Sequence, residues 1–232
     1  MTNYDGTSIS YNGLGNPETW VVDKPGGGRG VVNLAYDYEG RVTSMTVPGQ
    51  GSAYQTNTYN GLGARVKVVD NGYGSGTRKY VRGGAGVTDP VLRMTTGADN
   101  SPTWTNYTPG VSERTSGTSK FNHSGIKNVD AQSASNQTVS ATREYDAFGN
   151  VTSSTGSQTG RFGYGGPYGY QEDEGGLKQL GHRLYDPVAG RFVSKDPIQE
   201  GWNWYVYCNN NPLTKIDPNG NNRAIVFGGS LV

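Results

Sequence analysis

The chain of 232 residues has one cysteine, two histidines and three methionines. One cysteine excludes an internal disulfide, and a chain without staples suits a reducing compartment. His123 and His182 stand 59 positions apart, which gives no metal-ligand spacing. Long apolar runs are missing too. "AIVF" at 224–227 is typical of the longest, far below the length of a membrane span. The first ten residues, "MTNYDGTSIS", have neither the basic nor the apolar stretch of a secretory signal. Charge of one sign is also scarce: 20 basic against 19 acidic residues leave a net +1. That balance gives no electrostatic basis for binding nucleic acid or an anionic membrane. Only 32% of residues are hydrophobic and mean hydropathy is −0.67, so one thick aliphatic core is excluded.

What is abundant is glycine, with 37 residues, and tyrosine, with 16. Tyrosine packs its ring while its hydroxyl reaches a wet edge, so thin aromatic layers are expected. The two are organised. "YDYEGRVTS" from Tyr36 and "YDAFGNVTS" from Tyr145 share six of nine positions, and "YNGLG" occurs at Tyr11 and Tyr59. Asp or Asn followed three positions later by glycine is a tight-turn signal. The first side chain bonds the backbone and the glycine accepts positive φ. Tyrosine before and β-branched residues after make the unit strand–turn–strand. In "ARVKVVDNGYGSGTRKYVR", Val66 and Val68 alternate with Arg65 and Lys67, and "DNG" at 70–72 marks a hairpin. Starts at 11, 36 and 59 are 25 and 23 residues apart, an interval typical of arrays in which each unit packs on its neighbours. Glycines interrupt nearly every window that could hold a helix.

These residues resemble the Rhs family of bacterial YD-repeat proteins. The stretches "RFGYGGPYGYQEDEGGLKQLGHRLYDPVAGRFVSKDPI" (161–198) and "NWYVYCNNNPLTKIDPNG" (203–220) are similar to its Rhs-associated core domain. The resemblance implies an all-β fold: antiparallel YD-repeat hairpins forming one curled, spiralling sheet, a partial shell, with the core at its C-terminal end. Repeats are expected over 1–97, a diverged repeat or irregular connection with some strands over 98–140, the core over 141–220, and a tail without toxin over 221–232. In the family such shells enclose a C-terminal toxin or a partner until delivery, which implies secretion or a cell-surface location. The few repeats here suit capping a shell better than enclosing a domain.

Several relatives cut their own chain just beyond the last Asp-Pro-x-Gly. Carried over by motif, the catalytic candidates are Arg183, Asp186 and Asp196. Two carboxylates would share a proton, one acting as acid while the other activates water. The plain alternative is that both Asp-Pro pairs are turn formers. Asn221 stands where many relatives have leucine, and the run from Gly190 to Asp196 would span about 20 Å if extended, so the chain must fold back. Glu172, Asp173 and Glu174 read as a solvated turn, and Cys208 as a buried or indifferent thiol. "GGGRG" at 26–30 lacks the lysine of a phosphate loop. Trp20, Trp104, Trp202 and Trp204 could stack on sugars. "WNWYVY" at 202–207 alternates like a strand, with Trp202, Trp204 and Val206 on one face. No cofactor or metal is expected. The main functional expectation is a non-enzymatic structural unit, a shell cap or self-assembling fibre unit. It would pair by strand edges with itself or other YD-repeat shells, or hold an encapsulated or surface partner, with at most an autoproteolytic aspartyl pair. The alternatives are a truncated or split polymorphic-toxin core with aspartyl self-cleavage, and a carbohydrate- or surface-binding module.

Overall fold

The computed structural model describes residues 3–24, 27–71, 76–97 and 100–221, together with the backbone of 225–226. Among these residues there is no α-helix, only three short 3-10 turns. A small hairpin, β1 (Asn3–Tyr4) with β2 (Thr7–Ser8), comes first. Thirteen strands then follow one another in a single antiparallel sheet whose spatial order is the chain order. They are β3 (Thr19–Asp23), β4 (Arg29–Tyr36), β5 (Val42–Thr46), β6 (Gln55–Tyr59), β7 (Arg65–Asp70), β8 (Gly76–Arg82) and β9 (Val91–Thr96). The series continues with β10 (Thr103–Thr108), β11 (Ser112–Thr115), β12 (Thr118–Ser124), β13 (Val129–Ala134), β14 (Val139–Tyr145) and β15 (Val151–Gly156). The sheet does not close into a barrel: β3 and β15 are its two edges. The stretch 98–140 thus supplies four complete strands to this one sheet.

The repeated corners work as their sequence suggests. Asn12 Oδ1 accepts from the amides of Leu14 and Asn16, both at 3.0 Å. Asn60 does the same for Leu62 and Ala64, and Asp146 for Phe148, Gly149 and Asn150. Their fourth-corner glycines, Gly15, Gly63 and Gly149, have φ of 85°, 83° and 98°, the left-handed region that only glycine enters freely. Three of the tyrosines that open these corners sit at a register shift. Tyr36, Tyr59 and Tyr145 each come directly after a bulge and face Val42, Arg65 and Val151. Such bulges bend the strand and raise its twist, and this curls a long ribbon.

After β15 the chain builds a compact four-stranded sheet: β16 (Gln171–Glu172), β17 (Lys178–Leu180), β18 (Arg183–Asp186) and β19 (Arg191–Phe192). Finally β20 (Lys215–Ile216) pairs with β21 (Ile225–Val226), so that part of the apolar tail adds a strand to its own chain; Ala224 and Phe227 lie outside the described residues, as does Gly72 of the "DNG" signal. Two apolar clusters hold the parts together. One joins Trp20, Val22, Val32, Val42 and Met45 of the large sheet to Leu177, Leu184 and Val193. The other is nearly all aromatic: Tyr164, Tyr170, Tyr185, Phe192 and Tyr207, with Leu180 and Ile216.

Two expectations fail here. The 202–207 stretch is not a strand, because Asn203 accepts from the Tyr205 amide and turns the chain. Trp202 is left fully exposed while Tyr207 is buried. Nor is Glu172–Glu174 a solvated turn. Asp173 pairs with Arg65 at 2.5 Å and Arg161 at 3.1 Å, with neither its carboxylate nor Arg65 exposed. Glu174 meets Arg78 and Arg161, and Glu172 meets Lys178. Arg65, written as the polar alternate of a strand, is therefore an interior residue.

Candidate functional site: the turn around Gly220

Strand β18 carries Arg183 and Asp186 three positions apart, which sends them to opposite faces. Arg183 is 2% exposed. Its Nη1 donates to the Trp204 carbonyl at 3.0 Å, and the amide of Asp196 donates to the same oxygen at 2.9 Å. The fold-back that joins the "SKDPI" corner to Arg183 therefore runs through one carbonyl. Arg183 Nη2 lies 3.9 Å from Asp217 Oδ2, and its Nε donates to the Gly220 carbonyl. Burial pulls the guanidinium down to about 10, with Asp196 and Asp217 opposing that shift.

The next amide is held from the other side. Asn221 N donates to Asp217 Oδ1 at 3.2 Å and shares its proton with Asn219 Oδ1 at 3.1 Å. The Gly220–Asn221 peptide thus has an arginine on its carbonyl and a carboxylate on its N–H. Glycine is required for this fit. Gly220 has φ 68° and a Cβ there would collide with the Leu180 carbonyl oxygen, while one on Gly181 would meet the Asn219 backbone. Outside this turn a cleft of about 270 Å³ is lined by Arg41, Leu62, His182, Arg183, Lys195 and Asn221, among others. Burial, with Arg41 and Arg183 nearby, holds the His182 imidazole below its ordinary value.

Asp186 shares none of these partners. Its Oδ2 accepts from Tyr4 Oη at 2.8 Å, Trp20 Nε1 at 2.9 Å and Arg29 Nη2 at 3.2 Å, and its Oδ1 caps the turn at Val188 and Ala189. Asp196 Oδ1 likewise accepts from the Ile198 amide in its own turn. Asp217 is fully buried and stands in the third Asp-Pro of the core motif, a position the sequence reading used only as a landmark. Its signal was present: the Asp-Pro-Asn-Gly spacing places its carboxylate on the amide that follows the turn.

The other candidates are occupied in different ways. Trp20 is fully buried, so it offers no face to a sugar. Trp104 and Trp204 carry Arg93 and Lys195 over their rings at 4.8 and 4.4 Å. His123 bonds Ser133 at 2.8 Å. Cys208 is buried, and its thiol is pushed up to about 12, which makes it a poor nucleophile. Among the described residues no group of three or more His, Cys, Asp or Glu could hold a metal ion, and no helix is long and apolar enough to cross a membrane.

No protein-family model matches the chain. In sequence it is 32% identical, over 95% of its length, to the tRNA3(Ser)-specific nuclease WapA of Bacillus spizizenii. It is 31% identical over the same share to the tRNA nuclease WapA of Bacillus subtilis strain 168. It spans only 9% of the length of either relative. Among solved structures, the TcdB2-TccC3-TEV crystal structure superposes on 92% of the chain with a TM-score of 0.65 and 14% identity, the match covering 13% of that chain. The chain has the fold of that segment. The relatives that align along nearly its whole length are named as nucleases, and this overturns the expectation of a non-enzymatic structural or fibre-forming unit. The polymorphic-toxin alternative agrees with them better.

Proposed function

We propose that this chain is part of a polymorphic toxin of the Rhs type, comprising YD repeats over 1–97, a diverged repeat over 98–140 and the core over 141–220, and that the core cuts its own backbone just beyond Gly220. The reaction is hydrolysis of a peptide bond by carboxylates. Water adds to the Gly220 carbonyl carbon and gives up one proton to a carboxylate. The Arg183 guanidinium polarises the carbonyl and holds the oxyanion. The C–N bond then breaks as the Asn221 nitrogen takes a proton from the second carboxyl group, which starts as the protonated acid because the pair shares one proton. The products are a Gly220 carboxylate and an Asn221 amine. Asp196 and Asp217, gathered around Arg183, are assigned as the pair. Asp186 acts one step back, tying β18 to Tyr4, Trp20 and Arg29 so that Arg183 keeps its place.

The observation that carries this reading is the grip on the Gly220–Asn221 peptide, with Arg183 on its oxygen and Asp217 on its nitrogen. Intact-mass spectrometry of the chain fused to a C-terminal reporter domain tests it. The expected products are a fragment ending at Gly220 and a released reporter. Asp196→Asn and Asp217→Asn should abolish release, and Asp186→Asn should slow it. A wild-type fusion that keeps its full mass through purification and prolonged incubation would overturn the reading. Secretion or display at the cell surface goes with a toxin of this type. The edge strand β15, exposed at all six residues, supports pairing with strands of other YD-repeat segments.

A further inference from the structure

The turn that ends at Gly220 is held from behind by a row of buried hydroxyls. The Asp217 amide donates to Tyr170 Oη at 2.8 Å. Tyr170 Oη lies 3.2 Å from Tyr207 Oη, which lies 3.5 Å from Tyr164 Oη. Tyr164 donates to the Ala147 carbonyl at 2.8 Å, and Lys127 Nζ donates to Tyr164 Oη at 2.5 Å and to the Pro212 carbonyl at 2.9 Å. Each phenol has one proton to give. The Tyr164 proton is taken by Ala147. Tyr207 therefore gives its own to Tyr164, and Tyr170 gives its own to Tyr207. The row has one direction, from the Asp217 amide out to the Ala147 carbonyl, and Tyr164 accepts from both Tyr207 and Lys127. Bonds aligned head to tail from Tyr170 to Ala147 polarise one another, so the loss of one weakens the rest; Lys127, a second donor to the same oxygen, acts by holding Tyr164 in place from the Pro212 carbonyl.

The Tyr164 end of the row belongs to the large sheet. Lys127 lies in the loop between β12 and β13, and Ala147 in the corner after β14. The same loop docks on the core beside the row: Asn128 Oδ1 accepts from the Gly165 amide at 3.1 Å, and the Val129 amide donates to the Gly163 carbonyl at 3.0 Å. We propose that Lys127 is a positioning residue that acts through the hydroxyls of Tyr164, Tyr207 and Tyr170 to set the Asp217 turn. The Gly220–Asn221 peptide is then presented for cleavage only when the β12–β13 loop is docked. The cleavage half of this statement rests on the reading above; the coupling half does not.

Amide hydrogen exchange, read by mass spectrometry on peptides covering 215–221 of the full chain, separates the two. Tyr207→Phe and Lys127→Met should speed exchange there about three- to tenfold, the effect of losing one net hydrogen bond. Lys127→Arg, which keeps a donor, should restore it. Tyr185→Phe is the control. Its hydroxyl donates to the Phe148 carbonyl and its ring packs on Tyr207, but it stands off the row, so exchange at 215–221 should stay as in wild type. Reporter release should slow in the first two variants only. Unchanged exchange in Tyr207→Phe overturns the coupling, whatever the cleavage does. Faster exchange in a protein that never cuts itself leaves the coupling standing and removes the cleavage.

Discussion

At the scale of single residues, the cleft outside the Gly220 turn concentrates positive charge around one imidazole. His182 faces Arg41 and Arg183, with Lys195 and Glu39 on the same cleft wall. Its folded-state value lies below that of the free side chain, so the unfolded chain takes up the proton first. Stability is therefore expected to fall as pH drops below about 6.5, down to the folded-state value. In urea unfolding between pH 7.5 and 5, the wild-type midpoint should drop more steeply than that of His182→Asn. Parallel profiles would mean that His182 contributes nothing to the acid limb. In the sequence His182 showed only a missing metal-ligand spacing, because the second arginine beside it, Arg41, is 141 positions away. Cys208 was easier to read, since one thiol with no base near it in sequence is most often a small buried side chain.

At the scale of elements, the corners were legible and the site was only half so. Tyr-Asx-x-x-Gly needs nothing beyond five consecutive residues. The carboxyl or amide bonds the amides just ahead and the glycine takes positive φ, so local chemistry decides. Arg183, Asp186 and Asp196 were marked by the family resemblance, while local turn chemistry alone read the two Asp-Pro pairs as plain corners. What neither could give was which carboxylate stands beside the arginine. That depends on the Trp204 carbonyl, 21 positions from Arg183. The failed strand at 202–207 has a similar origin: alternation suggested pairing, but Asn203 turns the chain instead. The Asp217–Gly220 turn yields a sharp expectation. Gly220→Ala forces a side chain into the left-handed region, which costs about 1–2 kcal/mol, and adds a collision with Leu180. Thermal unfolding should show a lower midpoint, and reporter release should fall further than stability alone explains. An alanine variant that releases as fast as wild type would mean that the peptide grip is not the reactive geometry.

At the scale of the whole molecule, the sheet is bolted to the core by charge as well as by aromatic packing. Arg65 and Arg78 come from β7 and β8, Arg161 follows β15, and all three converge on Asp173 and Glu174. Burial alone would raise the Asp173 carboxyl, but Arg65 and Arg161 hold it below the ordinary carboxylate range. Removing one partner of such a buried set leaves the others uncompensated, a loss of about 3–5 kcal/mol. Asp173→Asn should accordingly shift the denaturant midpoint far more than Glu39→Gln, whose carboxylate is an exposed partner of Arg41. Equal shifts would show that the charges merely coexist. Nothing in "QEDEGG" announces this role, because two of its three arginine counter-ions are written about a hundred residues earlier, at 65 and 78.

Both ends of the thirteen-strand ribbon reach the same short stretch, 186–190. Trp20 of β3 donates to Asp186, while Asn150, just before β15, donates to the Pro187 carbonyl, and Phe148 lies against Gly190. The ribbon is thus fastened like a bracelet, with a clasp of side chains in place of a seam of paired backbones. Its girth is set by how many strands lie between the two fastenings. A hairpin added or deleted mid-ribbon would change that girth without re-cutting the clasp.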